Sequence, residues 1–279
     1  MDTLNALIMG IVQGLAEYLP ISSSGHLVIF SKILGLDLSG AESLEFDVLL
    51  HAATVLSTIV VLWSEFFPLC RSFFTFKRDN NFFYVLKILV SCVPIGIVGV
   101  FFKKGIDSLF DTGNPHILTY VGIFLLITAL LLSFTYFFKK APERMTYSAV
   151  RGRDINWVDA LVIGCAQALA VFPGLSRSGT TIATGILIGD NREKVARFSF
   201  LMVIIPILGE ALLDMKDYLT EPAAETATSI GWLPMLVGFL AAFIVGCIAC
   251  KWMLNIVKKG KLWWFAVYCV IVGVICIIY

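Results

Sequence analysis

The chain has 279 residues, 58% of them hydrophobic and 15% charged, with a formal net charge of +1 at pH 7. A soluble domain of this length cannot hide so much apolar surface, so the composition reads as an all-α polytopic membrane protein. Near-neutral charge and the lack of a basic tract argue against a nucleic-acid partner.

The first predicted element is a helix from about Asp2 to Tyr18. It would be about 25 Å long, short of a bilayer core of about 30 Å. With Asp2 and no basic run ahead of it, this segment does not read as a cleavable signal. It runs into the polar stretch Gln13-Gly-Leu-Ala-Glu17-Tyr-Leu-Pro20-Ile-Ser22-Ser23-Ser24-Gly25-His26. Such a cluster is costly in so apolar a chain unless it has a function. Gln13 and Glu17 are four apart and share a helix face. Pro20 stops the helix and disfavours α geometry at Leu19. The serines are good N-caps for a second helix. A second apolar run, about 26–36, makes the segment a re-entrant hairpin, whose broken backbone is tolerated only inside protein or against a wet cavity. The helix start at the serines suits an anion, phosphate above all.

After a polar, acidic stretch at about 36–45, three spans are expected at about 47–67, 83–102 and 116–138. Lys139, Lys140, Arg144, Arg151 and Arg153 mark the boundary between two halves, about 1–140 and 155–279. The second half repeats the plan, with a broken segment at about 157–189 and spans at about 198–213, 231–250 and 262–279. Gln167-Ala-Leu-Ala-Val171-Phe-Pro173-Gly174-Leu-Ser176-Arg177-Ser178-Gly179-Thr180-Thr181 aligns with the first motif without a gap, residue n matching residue n + 154. Ala6 with Ala160 and Gly10 with Gly164 keep that offset. This is an internal repeat. The copies differ in chemistry. Val171 and Thr180 stand where the first copy has Glu17 and His26, and Arg177 is added.

Lysine and arginine counts set the orientation. Arg71, Lys77, Arg78, the basic loop between the halves, and Lys251, Lys258, Lys259 and Lys261 should be cytoplasmic. Asp37, Glu42 and Glu45, and later Asp214, Asp217, Glu221 and Glu225, should face outward; Lys103 and Lys104 are an exception, partly offset by Asp107 and Asp111. Three spans per half require the repeats to be inverted, so that six transmembrane helices and two re-entrant hairpins form a single membrane domain. The hairpin breaks then meet inside the membrane, both termini lie outside, and the cleft opens to the external side.

Each polar residue has a bland alternative. Glu17 suits metal ligation or proton transfer, against a purely structural carboxylate. Gln13 could bind a metal or a substrate oxygen, against a packing or hairpin role shared with Gln167 at the same repeat position. Arg177 has the fork for bidentate phosphate contacts, or for a structural ion pair. Ser23 is the candidate nucleophile with His26 as its base, although His26 could instead donate to a phosphate. Ser22, Ser24, Gly25, Ser176, Ser178, Gly179 and Thr181 are candidate phosphate contacts, and some of the serines are equally helix caps. His51 and His116 read as packing or interface residues, and the seven scattered cysteines, including Cys247-x-x-Cys250, as packing residues. Carboxylate oxygen suits Mg²⁺, with Ca²⁺ as the alternative.

The paired motifs resemble those of the undecaprenyl-diphosphate phosphatases, the integral-membrane enzymes linked to bacitracin resistance. That family has a Glu/Gln-x-x-x-Glu motif running into Pro-x-Ser-Ser-x-Gly-His, and a later Pro-Gly-x-Ser-Arg-Ser-Gly-x-Thr. Both stand here, as Gln13 to His26 and Pro173 to Thr181. Phe46-Asp47-Val-Leu-Leu-His51 and Phe198-Ser-Phe-Leu201 are also similar to it, while Gln13 stands where many members have Glu. The resemblance implies hydrolysis of a polyprenyl diphosphate lipid to its monophosphate, which recycles the carrier for cell-wall synthesis in the bacterial cytoplasmic membrane. A homodimer is compatible with it. The rival reading is a lipid or small-molecule transporter or flippase, because inverted repeats with broken helices also mark secondary transporters.

Overall fold

The computed structural model describes residues 1–36, 40–109, 114–137, 152–220 and 230–279, with side chains described outside 40–44, 103–104, 106–109 and 214–220. The acidic stretch at 37–44, the basic boundary at 138–151 and the acidic group at 214–229 therefore lie outside the described side chains. Among the described residues the regular structure is helical: α1 (Thr3–Ala16), α2 (Ser23–Ile33), α3 (Gly40–Val61), α4 (Trp63–Phe74), α5 (Asn80–Leu109), α6 (Ile117–Phe137), α7 (Trp157–Leu169), α8 (Arg177–Leu187), α9 (Arg192–Met202), α10 (Ile204–Thr220), α11 (Trp232–Lys259) and α12 (Trp263–Ile278).

Caps written in the sequence start several of these helices. Asp2 accepts from the Asn5 N–H at 2.7 Å ahead of α1. Asn156 and Asp159 form a capping box at α7, and Asn191 caps α9. Both expected breaks are present. α1 stops at Ala16, four residues before Pro20, and α7 stops at Leu169, four before Pro173. The helices on either side of these breaks have 14, 11, 13 and 11 residues. None of them alone reaches the length needed to cross a bilayer.

Among the described residues four helical stretches are long and apolar enough to cross a membrane: Asn80–Phe102 in α5, Ile117–Phe137, Arg192–Leu213 where α9 runs into α10, and Trp232–Lys259. A fifth is added if Glu45–Val61 and Trp63–Phe74 count as one span. The expected straight span at 47–67 is instead bent by 92° at Leu62. No proline or glycine stands at that bend; the polar pair Ser64-Glu65 follows it in the first turn of α4. The expected last span is α12, a 16-residue helix about 24 Å long.

The two halves exchange partners. α1 packs along α11, α7 along α5, and α6 against α12. Glycine permits two of these approaches at equivalent repeat positions. A Cβ on Gly10 would clash with the Gly238 carbonyl oxygen, and one on Gly164 with the Ser91 carbonyl oxygen. Small residues at such crossings let helix backbones approach, the usual basis of helix association in lipid.

Candidate active site

The hairpin breaks meet in a reciprocal way. A Cβ on Gly25 would touch Gly174 backbone atoms at 3.0 Å, and one on Gly179 would touch Pro20 Cβ at 3.0 Å. Gly179 is the repeat counterpart of Gly25, and Gly174 that of Pro20, so each break presents the same corner to the other. The turns reach this arrangement differently. Gly174 takes φ +99°, which a proline at the equivalent position cannot adopt. In the first copy the positive φ falls on Ser22 instead, at 71°. A serine there carries local strain of about 1–3 kcal/mol, a feature that tends to gather at functional sites. Ser22 Oγ accepts from Gly25 N–H at 3.3 Å and from Gly174 N–H at 2.9 Å, so it caps α2 and ties the breaks together. Ser176 Oγ caps α8 by accepting from Gly179 N–H at 3.0 Å.

Glu17 lies just beyond α1. Its Oε2 accepts from Ser23 Oγ at 2.8 Å and from Gln13 Nε2 at 3.0 Å. His51 Nε2 stands 3.8 Å from the same oxygen, with His51 Nδ1 2.7 Å from the Asp47 carbonyl oxygen. An imidazole read as packing material thus belongs to the carboxylate's surroundings. The hint was the Phe46 to His51 segment itself.

Tyr18 holds this corner in place. Its hydroxyl donates to the Thr54 carbonyl oxygen at 2.6 Å and also meets Ser57 Oγ and Thr58 Oγ1 on α3, and its ring packs edge-on against Phe200. His26 points elsewhere. Its Nδ1 lies 2.8 Å from the Ser22 carbonyl oxygen and its Nε2 2.8 Å from Tyr268 Oη on α12. Because helical carbonyls only accept, Nδ1 carries the proton in the neutral ring and Tyr268 donates to Nε2. Ser23 is therefore bonded to Glu17, and the expected pairing of Ser23 with His26 is not formed.

A pocket joins the two breaks. Glu17, Gln167, Arg177, Ser178, Thr181 and Ser199 are among its lining residues. Arg177 is mostly buried and stands 3.9 Å from Glu210 Oε2, whose side chain is 58% exposed. Ser178 Oγ donates to the Leu19 carbonyl oxygen at 3.4 Å, and Thr181 Oγ1 to the Arg177 carbonyl oxygen at 2.9 Å. Ser24 Oγ lies at the long limit of hydrogen bonding from Ser22 Oγ, 3.5 Å. The structure thus gathers Gln13, Glu17, Ser23 and His51 on one side, and Arg177, Ser178 and Thr181 on the other.

The family model described as "Bacitracin resistance protein BacA" matches residues 6–275. The chain belongs to the BacA family. It is 52% identical to a protein named undecaprenyl-diphosphatase from Bacteroides fragilis, over 100% of this chain and 98% of that protein. The same name and 52% identity hold for a Bacteroides thetaiotaomicron relative, over 100% of this chain and 99% of the other. A relative of that name from Christiangramia forsetii is 42% identical over 100% of this chain and 98% of its own length. The BacA match spans both hairpins and the helices that exchange between the halves, so all the residues gathered in the pocket fall within it.

Gln13 Oε1 is buried with no hydrogen-bond partner, on the amide whose Nε2 donates to Glu17. A carboxylate beside an unsatisfied amide oxygen fits a hard cation that takes its remaining ligands from water or phosphate. Among the described residues no group of three or more His, Cys, Asp or Glu side chains could hold a metal. A cation here would therefore draw most of its ligands from the substrate.

Proposed function

We propose that this chain is an integral-membrane phosphatase that hydrolyses undecaprenyl diphosphate to undecaprenyl phosphate and inorganic phosphate, recycling the carrier lipid for cell-wall synthesis. The observation that carries this reading is the Ser23 hydroxyl donating to Glu17 Oε2 at 2.8 Å, beside a pocket that Glu17 shares with Arg177. A transporter needs no such nucleophile and base. The names of the relatives in the BacA family support the same substrate.

In this reading Ser23 Oγ attacks the terminal phosphorus while Glu17 takes its proton. The bond from that phosphorus to the bridging oxygen breaks, and the lipid monophosphate leaves with the proton returned by Glu17. Water then cleaves the phosphoserine to give inorganic phosphate and free Ser23. Arg177 steadies charge on the non-bridging oxygens through its planar fork. Ser22, Ser24, Gly25, Ser176, Ser178, Gly179 and Thr181 shape the two helix starts around the diphosphate. His26, held by Tyr268, orients the first turn of α2. A divalent cation, Mg²⁺ ahead of Ca²⁺, would be held by Glu17 and Gln13 and would neutralise charge on the diphosphate.

We further read the chain as a single bacterial cytoplasmic-membrane domain of two inverted repeats, with six spans and two re-entrant hairpins. The reciprocal packing of α1 on α11 and α7 on α5 supports this, with α12 as a short sixth span over which the bilayer thins. Both termini and the cleft then face outward.

The test is phosphate release from undecaprenyl diphosphate by purified protein in detergent. Hydrolysis needs one compartment, whereas a transporter or flippase needs two. Turnover supports the phosphatase. Binding without phosphate release supports the transporter reading.

A further inference from the structure

Gln13 and Gln167 occupy the same repeat position but differ in what their amides can reach. Gln13 gives its Nε2 to Glu17, four residues on. The residue four beyond Gln167 is Val171, which offers nothing. Gln167 is 1% exposed, and both its Nε2 and its Oε1 lack a hydrogen-bond partner. Ser199 on α9 is 3% exposed, and its Oγ is also unpartnered. Both residues line the pocket that holds Glu17 and Arg177. Leaving a buried amide and a hydroxyl empty-handed costs about 1–3 kcal/mol for each group, which calls for a partner in the pocket they share.

The chemistry of the gap says what that is. A phosphate oxyanion only accepts hydrogen bonds and would leave the amide oxygen unpaired. Water both donates and accepts, and the enclosed part of the pocket has room for about one water molecule. We propose that Gln167 and Ser199 seat the water that hydrolyses the phosphorylated Ser23. This rests on the phosphatase reading above. The water oxygen bonds to phosphorus as the bond from phosphorus to Ser23 Oγ breaks. Its proton ends on Ser23 Oγ through Glu17 Oε2, which lies 2.8 Å from that atom. Inorganic phosphate and free Ser23 are the products, with nothing oxidised or reduced. Neither Gln167 nor Ser199 takes part in the earlier transfer to Ser23, so that step should survive their loss.

The test follows both products from undecaprenyl diphosphate labelled at its terminal phosphate, using full-length protein in detergent. Wild type should release lipid monophosphate and phosphate in step. Gln167→Leu should show a burst of lipid monophosphate near one per enzyme, label retained on Ser23, and steady-state phosphate release lowered at least about tenfold, with KM lowered in proportion so that kcat/KM is kept within about twofold. Ser199→Ala, which removes one oxygen only, should give the same burst with a smaller drop. It keeps the test decisive if Gln167→Leu does not fold. Both products falling together, a raised KM with kcat preserved, or unchanged turnover in both variants would overturn the inference alone. Wild type that releases no phosphate would overturn the phosphatase reading, and this proposal with it.

Discussion

Ser23 Oγ donates to Glu17 Oε2 at 2.8 Å across the break between α1 and α2. The hydroxyl and the carboxylate are only six residues apart, yet they meet because the chain turns back between Pro20 and Ser22. The proton of the Ser23 hydroxyl thus has an acceptor on its own hairpin. Glu17→Gln keeps the shape but gives Ser23 a neutral acceptor. We expect kcat to fall at least about a hundredfold, within the usual range for losing a general base. Any stimulation by Mg²⁺ should disappear, because an amide is a poorer ligand. His26→Gln should cost distinctly less. Steady-state kinetics on both variants checks this, and a larger loss at His26 would return the base to the imidazole.

Arg177 has a rival for its fork. Glu210 stands 3.9 Å away with an exposed side chain and shares the guanidinium when no phosphate is bound. Arg177→Lys should lower turnover at least about tenfold, equal to about 1.4 kcal/mol of transition-state stabilisation. Glu210→Gln should lower KM about twofold or more, since the substrate no longer displaces a carboxylate. A raised KM in Glu210→Gln would instead make Glu210 part of what holds Arg177 in place.

Much of this site could be read from the residues. Pro20 and Pro173 marked the breaks, the serines marked the helix starts, and the constant offset tied the two together. The two breaks do touch, corner to corner at Gly25, Gly174, Gly179 and Pro20. What the sequence hid depends on tertiary neighbours. His26 sits three residues after Ser23, but its ring is held by Tyr268, 242 residues away. His51 is carried to Glu17 by the way α3 packs, which no local pattern reveals. The bend at Leu62 carries no proline or glycine, and its one local mark is the polar pair Ser64-Glu65 in the first turn of α4. Gln167 was visible as the counterpart of Gln13, but its free amide matters only once Ser199 is seen lining the same pocket.

A second cluster lies apart from the pocket, where Gly152–Ile155 runs beside the loop between α8 and α9. Arg153 pairs with Asp159 at 2.6 Å and with Asp190 at 3.2 Å. Burial, together with the neighbouring Asp159, pushes the Asp190 carboxyl up from 3.8 to about 6. The folded protein therefore holds this proton to higher pH than the unfolded chain. Stability from this group is present below about pH 4 and is lost as pH rises through about 6. Wild type should lose stability relative to Asp190→Asn across that window, by at most about 3 kcal/mol, with no further change above it. Thermal unfolding in detergent at a series of pH values reads the difference. A gap between the two proteins that stays constant with pH would contradict the assignment.

The central claim is that Ser23 carries the phosphoryl group, and one comparison tests it most directly. Wild type and Ser23→Ala are given undecaprenyl diphosphate in detergent, and inorganic phosphate is measured alongside lipid binding. The account predicts that Ser23→Ala binds the lipid diphosphate like wild type but releases no phosphate above background. Substantial phosphate release by Ser23→Ala would contradict it and leave direct attack by water as the reaction.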